Sequence, residues 1–404
     1  MKKVLLYSLL LIVGLLGSQF LPRLDPAVFP LVKQAITFLT MVSLAFLMIH
    51  VGYEFEIDRS NLRKYAIDYG VAATAAGFPW IFCSLYFVFM MSLPESWGRF
   101  ETWTESLLAA RFAAPTSAGI LFAMMAAAGL SATWVFRKAR ILAIFDDLDT
   151  VLLMIPLKML IVGMKWQLGV IVLAMVGLLW LAWRYLHRLQ APISWQWVIG
   201  YAAAIALTSE IIYRASKWID DVVPIHIEVL LPAFVLGCML ARPTGHDPHI
   251  DDTREGHQEG PGDPGEQRVS SIVSAVFMVL VGLSMPPLAG VVGGGPAENT
   301  GWGSILFHVL IITVLSNLGK MFPLFCYRAE AHWRERLALC IGMWPRGEVG
   351  AGVLVVSLAY GIGGPIVAVA TLSLALNLLL TGLFIYAVKK LLRNLPAKDI
   401  SSDF

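Results

Sequence analysis

Three aspartates lie close together in this 404-residue chain, and they are the side chains best suited to chemistry. They are Asp146, Asp147 and Asp149, in a stretch that is otherwise apolar. If the stretch crosses a membrane, each charge costs about 2.5–3.5 kcal/mol, so such residues normally face a protein interior or a wet cavity. Carboxylates bind protons and small hard cations. The cluster therefore predicts a proton or cation site at membrane depth, rather than salt bridges that only join helices.

Two segments carry proline and glycine where a spanning helix should continue. One is Pro115-Thr116-Ser117-Ala118-Gly119, within an alanine-rich run, and the other is Pro345-Arg346-Gly347-Glu348. Interrupted backbone at membrane depth is tolerated where it lines a cavity or is buried in protein. Paired interruptions in the two halves of a chain indicate a transporter site. We expect both helices to be unwound near the aspartates, although a proline kink is the simpler alternative for the first segment.

Positive charges also lie deep in apolar stretches. They are Arg111, Lys320 and Arg346, whereas Lys158 is close enough to a span end to anchor at the interface. Four acids at this depth, the three aspartates and Glu348, are opposed by the three deep cations, without Lys158. The balance is one surplus negative charge. This balance suits one monovalent cation or one proton.

Helix geometry separates the aspartates. Neighbouring residues such as Asp146 and Asp147 point about 100° apart, whereas Asp146 and Asp149 share a face. Arg111 should lie at a similar depth to Asp149 on an adjacent antiparallel span. Our hypothesis is that Arg111 and Asp149 pair and cancel each other's charge.

The composition is that of a polytopic membrane protein. Hydrophobic residues make up 58% and charged residues 14%, against about 45–50% and about 25% in soluble domains. The formal net charge is +2, with no basic stripe. A soluble enzyme, a disordered chain and a nucleic-acid binder are therefore excluded. The four cysteines lack metal-ligand spacing and are interpreted as packing residues.

Apolar segments of about 20 residues predict twelve transmembrane helices. They run over Val4–Phe20, Val28–Val51, Tyr65–Met91, Ser106–Leu130, Ala139–Gly163, Trp166–Leu186, Trp195–Tyr213, Val222–Ala241, Val269–Val292, Ile305–Cys326, Leu337–Tyr360 and Pro365–Val388. The first follows Lys2-Lys3 and imitates a signal peptide, but it lacks a clear cleavage site and is kept as a span.

The basic residues test this topology. Twenty of the thirty lysines and arginines fall on the side of the N-terminus and six on the opposite side. Basic residues concentrate in cytoplasmic loops, so both termini are predicted to be cytoplasmic.

The motifs resemble those of the cation/proton antiporter superfamily, especially its bacterial sodium/proton and potassium/proton branches. The resemblance extends over roughly Val28 to Val388. Its most specific motif is Met343-Trp344-Pro345-Arg346-Gly347-Glu348-Val349-Gly350, accompanied by Ile144-Phe145-Asp146-Asp147, Pro115-Thr116-Ser117 with Gly119, and Ser316-Asn317-Leu318-Gly319-Lys320.

The resemblance implies a fold of inverted repeats in which spans four and eleven cross at the ion site. It also implies a homodimer with a dimerisation domain and a mobile core domain. Asp147 resembles the acid that binds the cation and the proton, and Asp146 resembles its neighbour, which pairs with Lys320.

Further roles follow from the same resemblance. Thr116 and Ser117 resemble residues of the family's unwound segment. In the family, that segment and the acid that Asp147 resembles provide oxygens to an alkali cation. Arg346 and Glu348 resemble a charge pair that holds the second interruption. An acid at Asp149 and a base at Arg111 depart from the family's pattern.

The expected domain organisation follows the spans. We expect dimerisation helices at 1–64, core halves at 65–165 and 302–390, linking spans at 166–241, an acidic cytoplasmic loop at 242–268, a ninth span with an outer loop at 269–301, and a cytoplasmic tail at 391–404. Histidines and acids at His246, His249, Asp251, Asp252 and His257 suggest a pH sensor or a metal site, but a solvated linker is favoured.

These features together predict a secondary antiporter in a bacterial inner membrane, not an enzyme. It would exchange sodium for protons electrogenically by alternating access, serving pH homeostasis without a cofactor or nucleic acid. Potassium/proton exchange is the main alternative. A cation channel, an anion symporter and a non-transporting sensor are less favoured, because one acidic patch suits neither a symmetric pore nor an anion, and the tail is short.

Overall fold

The structure is a computed structural model that describes residues 2–53, 62–162, 165–219, 229–241, 264–285, 302–359, 362 and 364–393. Its α-helices are α1 Lys2–Phe20, α2 Phe29–Tyr53, α3 Leu62–Tyr86, α4 Phe100–Ala110, α5 Ala118–Ala127, α6 Trp134–Val162, α7 Trp166–Arg184, α8 Trp195–Ile219, α9 Leu230–Met239, α10 Pro264–Leu283, α11 Trp302–Gly319, α12 Pro323–Cys326, α13 Trp333–Gly342, α14 Glu348–Ala359 and α15 Pro365–Leu392. Within these ranges no β-strand occurs, only an isolated bridge between Leu189 and Leu240. The all-α prediction is confirmed.

Nine helical stretches in the described ranges are long and apolar enough to cross a membrane. They are Lys2–Arg23, Phe29–Tyr53, Arg63–Met91, Phe100–Ala127, Trp166–Arg184, Trp195–Ile219, Gly265–Leu283, Gly303–Cys326 and Pro365–Leu392. The other three predicted spans correspond to the aspartate-bearing helix α6, to a segment of which only α9 and its flanks are described, and to the pair α13 and α14. Twelve spans remain a prediction.

The chain forms two compact units. The first, unit 1, comprises residues 1–12, 63–150 and 285–404, and it contains all the predicted site residues. The second, unit 2, comprises residues 13–62 and 151–284. Of the predicted acidic loop, residues 242–263 lie outside the described ranges, as do residues 286–301, the end of the predicted ninth span and most of the outer loop.

Unit 2 is assembled through glycines at helix crossings. A Cβ on Gly52 of α2 would overlap the backbone at Phe234 of α9, and one on Gly237 of α9 would overlap the backbone at Ile49. Gly14 of α1 is equally close to the backbone of α10. Small residues let membrane helices approach closely. Van der Waals packing then holds the helices together, because there is no hydrophobic driving force between helices in lipid.

Unit 1 contains two interrupted helices, as the sequence predicts. The first break is Arg111–Ser117, a 3₁₀ turn followed by extended residues between α4 and α5. The second break is Met343–Gly347, between α13 and α14. Each contains a proline, which has no N–H to donate and hinders a continuous helix. The prediction of two unwound helices is confirmed.

Candidate functional site

The two breaks cross within hydrogen-bonding distance of each other. The Ser117 N–H donates to the carbonyl of Pro345 at 2.9 Å, and the Thr116 hydroxyl donates to the carbonyl of Met343 at 3.1 Å. Glycine at position 347 allows this approach, because a Cβ there would lie 3.0 Å from the Ser117 hydroxyl oxygen. The crossing leaves unwound backbone from both helices beside the aspartates of α6.

A fully buried ion pair joins the first break to α6. The Lys320 ammonium lies 2.7 Å from Asp146 Oδ2, and it also donates to the Thr116 hydroxyl at 2.8 Å and to the carbonyl of Ala114 at 2.5 Å. The Thr116 N–H donates to the same Asp146 oxygen at 2.8 Å. An ammonium has three protons to donate, so three acceptors satisfy it. The structure thus brings together Asp146, Lys320 and Thr116.

Close helix packing brings Lys320 to this position. The residue before it, Gly319, ends α11 with its Cα against the backbone of Pro79 in α3, and a Cβ there would overlap that proline. Only glycine permits this contact without a shift of one helix. Lys320 then points its ammonium into the interior, where its exposure is 0%.

The three aspartates are all buried within unit 1. Asp146, Asp147 and Asp149 are 0%, 3% and 4% exposed. Asp146 Oδ1 has no hydrogen-bond partner among the described residues, although Oδ2 of the same carboxylate accepts two bonds. A buried oxygen without a donor is costly, so the site favours a proton or a cation at that position. Asp147 follows directly on the same helix.

Thr116 and Ser117 use their polar groups differently. The Thr116 hydroxyl is occupied, because it accepts from Lys320 and donates to Met343. The Ser117 hydroxyl caps α5 and accepts from the N–H of Ile120 at a long 3.4 Å. The Thr116 carbonyl and the Ser117 hydroxyl thus lie in the unwound part of this segment, beside the Asp146–Lys320 pair, and their predicted role as cation ligands stays a prediction.

Arg346 holds the two breaks and a third helix together. Its guanidinium donates to the carbonyl of Ala113 at 2.9 Å, to the carbonyl of Ser316 at 2.6 Å and to the side-chain oxygen of Asn317 at 2.7 Å. The side chain of Glu348 lies outside the described part, so the expected pair with Arg346 stays a prediction. The sequence analysis gave Asn317 no role of its own, although an amide among apolar residues was a usable signal.

Arg111 lies against α6, as its predicted depth suggested. The guanidinium is fully buried and donates to the backbone carbonyls of Asp149, at 3.2 Å, and of Thr150. The Asp149 side chain lies within hydrogen-bonding reach of the Tyr69 hydroxyl. The hypothesis that Arg111 and Asp149 cancel each other's charge stays a prediction, and the bonds described here run to main-chain oxygens.

A second buried ion-pair network lies elsewhere in unit 1, and the sequence analysis missed it. Lys138 of α6 donates to both oxygens of Asp68 in α3, at 3.0 and 3.1 Å, and forms an ion pair with Glu330 at 3.1 Å. The Tyr327 hydroxyl donates to Asp68 Oδ1 at 2.7 Å. Burial, reinforced by the charge of Asp68, raises the pKa of Tyr327 well above its usual value, so this hydroxyl remains a donor.

Comparison with known proteins identifies the family. A family model described as "Sodium/hydrogen exchanger, transmembrane" matches residues 4–362. The chain belongs to the sodium/hydrogen exchanger family. Its structure is similar to that of the sodium proton antiporter MjNhaP1 from Methanocaldococcus jannaschii at pH 8, with a TM-score of 0.52 and 15% identity over 93% of this chain and 91% of that one. No curated protein matches the chain.

Membership of the sodium/hydrogen exchanger family confirms the resemblance to cation/proton antiporters. The protein is an integral membrane transporter that exchanges a cation for protons across the bilayer. The family and the fold are those of transporters rather than enzymes. At 15% identity, the likeness to MjNhaP1 shows a shared fold and no more.

Proposed function

We propose that this exchanger carries sodium against protons and that Asp147 binds both in turn. The observation that carries the proposal is the buried constellation of Asp146, Lys320 and Thr116 immediately beside Asp147. Asp147 follows a carboxylate, Asp146, of which only Oδ2 accepts hydrogen bonds among the described residues. Both lie where two unwound segments cross, as a cation site requires. Membership of a family of sodium/hydrogen exchangers supports sodium over potassium.

Competition for the same oxygens would couple the two ions. A small hard cation prefers oxygen ligands, and Asp147, the Thr116 carbonyl and the Ser117 hydroxyl are suitable ones. A proton on Asp147 neutralises it, and so does a bound sodium ion. The neutral site can be presented alternately to the two sides of the membrane, whereas the empty anion is costly to move. No resident cofactor enters this scheme.

The Asp146–Lys320 pair would make the exchange electrogenic. If sodium binding draws Asp146 towards the cation, Lys320 loses its carboxylate partner and can release a proton. Asp147 releases a second proton on binding the cation. Two protons would then move against one sodium ion, and transport would respond to membrane voltage.

The setting of the exchanger is part of the same proposal. The exchanger would be a homodimer in a bacterial inner membrane, with both termini in the cytoplasm. The distribution of basic residues supports the orientation of the termini. In that orientation the exchanger would use the proton gradient to expel sodium and would contribute to pH homeostasis.

The experiment uses proteoliposomes with an internal pH dye. Pulses of sodium, lithium or potassium should change the internal pH, with the largest response to sodium. Equal potassium on both sides with valinomycin clamps the voltage at zero, and an electrogenic exchanger should then respond differently to sodium. A larger response to potassium than to sodium would identify potassium as the transported cation.

Asp147→Asn tests the assignment of the acid. The change removes the titrating group and keeps the shape, and it should lower exchange at least about 100-fold, by the loss of a required ligand and proton carrier. Asp25→Asn is the matched control, because Asp25 is exposed and its carboxylate accepts from the N–H of the nearby Ala27. If Asp147→Asn exchanges sodium at the wild-type rate, the proposed role of Asp147 is wrong.

A further inference from the structure

The first break is attached to α6 at two points. At one point the Thr116 N–H donates to the carboxylate of Asp146. At the other, Arg111 donates to the carbonyls of Asp149 and Thr150. These points are about one helical turn apart along α6, and Asp147 lies between them in the sequence.

The two attachments differ in chemistry. The attachment at Asp146 depends on a carboxylate that also binds Lys320. This attachment weakens whenever the carboxylate gains a proton or reorients towards a bound cation. The attachment at Arg111 depends on main-chain carbonyls, whose charge does not change with pH or with cargo. A guanidinium also keeps its charge throughout the physiological range.

The Arg111 side chain is held in place by an aromatic ring as well. The guanidinium carbon lies 4.9 Å from the centroid of the Trp80 ring on α3. The indole N–H of Trp80 donates to the carbonyl of Leu107 at 2.7 Å, which fixes the ring relative to α4. Three elements of unit 1 therefore meet at this one buried cation.

We propose that Arg111 is a positioning residue that keeps the first break in register with α6 while Asp146 changes partners. The Thr116 carbonyl and the Asp147 carboxylate then stay at the right separation for a cation at every stage of the cycle. This inference rests on the proposed function, because it assumes that the cation binds between these groups. It assigns Arg111 a role that does not depend on the charge of Asp149.

The main test is Arg111→Lys, measured as sodium-dependent proton exchange in proteoliposomes. Both bonds to the carbonyls come from Nη2 of the planar guanidinium, which is also the group that stacks on Trp80. Lysine keeps the charge but loses this plane and its fixed N–H directions. The KM for sodium should rise about ten-fold, by the misplacement of ligands, while the maximal rate stays within about two-fold of wild type. Arg336→Lys is the matched control, because Arg336 also donates to a main-chain carbonyl, that of Leu324, at 2.6 Å. The control should leave the KM unchanged.

A double change separates positioning from charge cancellation. If Arg111 acts through the main chain, Asp149→Ala will not restore exchange to Arg111→Ala. Full restoration would overturn the inference and support a simple charge pair. A wild-type KM in Arg111→Lys would overturn it as well.

Trp80→Leu keeps the test valid if Arg111→Lys does not fold. This change leaves every charge in place and removes the ring beneath the guanidinium, together with the hydrogen bond from that ring to the carbonyl of Leu107. The KM should rise about three-fold, as expected for a lost cation–π contact, and an unchanged KM would overturn the inference. Failure of the proposed function is distinguishable, because the wild-type protein itself would then show no response to sodium.

Discussion

Unit 1 contains two buried lysine–aspartate pairs that look alike and are satisfied differently. Lys138–Asp68 and Lys320–Asp146 have N···O distances of 3.0 and 2.7 Å, and no side chain of either pair is more than 4% exposed. Both oxygens of Asp68 accept hydrogen bonds, from Lys138 and Tyr327. The Asp146 carboxylate accepts through Oδ2, and its Oδ1 has no hydrogen-bond partner within the described ranges.

This difference separates a structural pair from one suited to exchange. A proton or cation that binds Asp68 meets an oxygen that already accepts a hydrogen bond from Lys138 or Tyr327. At Asp146, a proton can bind Oδ1 without breaking any described hydrogen bond. A carboxylate whose two oxygens both accept hydrogen bonds resists change, whereas one that accepts through a single oxygen can alternate between ligands. The Asp68 network thus holds α3, α6 and the segment before α13, and the Asp146 pair is left able to react.

Matched substitutions of the two lysines would sharpen the comparison, and Lys138→Gln should have the largest effect on stability. It leaves two carboxylates, Asp68 and Glu330, without their shared cation. Removing one partner of a buried pair costs about 3–5 kcal/mol. Thermal unfolding in detergent, followed with a thiol dye that reacts as buried cysteines become exposed, should show a large fall in melting temperature. An unchanged melting temperature would remove the structural role of the network.

Lys320→Gln should have a smaller effect on stability and a distinct effect on transport. Only one carboxylate loses its cation, and a proton on Asp146 can neutralise it. Exchange should fall about ten-fold, roughly 1.4 kcal/mol in activation free energy, and should lose its voltage dependence. The measurement is sodium-driven pH change with and without the voltage clamp. Persisting voltage dependence would show that Lys320 is not the source of the second proton.

Tyr327→Phe should have the smallest effect of the three. It removes one hydrogen bond to Asp68 and leaves the ion pair with Lys138. The expected loss is about 1–2 kcal/mol of stability, with the KM for sodium unchanged. Tyr386→Phe, at an exposed tyrosine, is the control. If Tyr327→Phe alters the KM instead of the melting temperature, the Asp68 network belongs to the transport site and the contrast between the pairs is lost.

Much of the site could be predicted because its signals are local in the sequence. Proline and glycine marked both breaks, and clustered acids marked α6. The pairing of Asp146 with Lys320 came from the resemblance to antiporters, since no spacing rule links two residues that are 174 positions apart.

Other contacts could not be predicted, for two physical reasons. Lys138 belongs to a cluster of basic residues that looks like an exposed cytoplasmic loop, and only the long-range approach of Tyr327 and Asp68 buries it. Arg111 and Arg346 bind main-chain carbonyls, which every residue has, so no sequence pattern distinguishes those partners. Charged partners were expected for both arginines, because a sequence shows which side chains are charged but not which main-chain carbonyls lie nearby.

The hydrogen-bond donors of the first break are synthesised long after the break itself. The carbonyls of Ala113 and Ala114 accept from Arg346 and Lys320, both of which are translated more than 200 residues later. Until those cations emerge from the ribosome, the opened backbone at 113–114 lacks its donors within the bilayer. The first break can therefore acquire these two hydrogen bonds only after the C-terminal part of unit 1 has been synthesised.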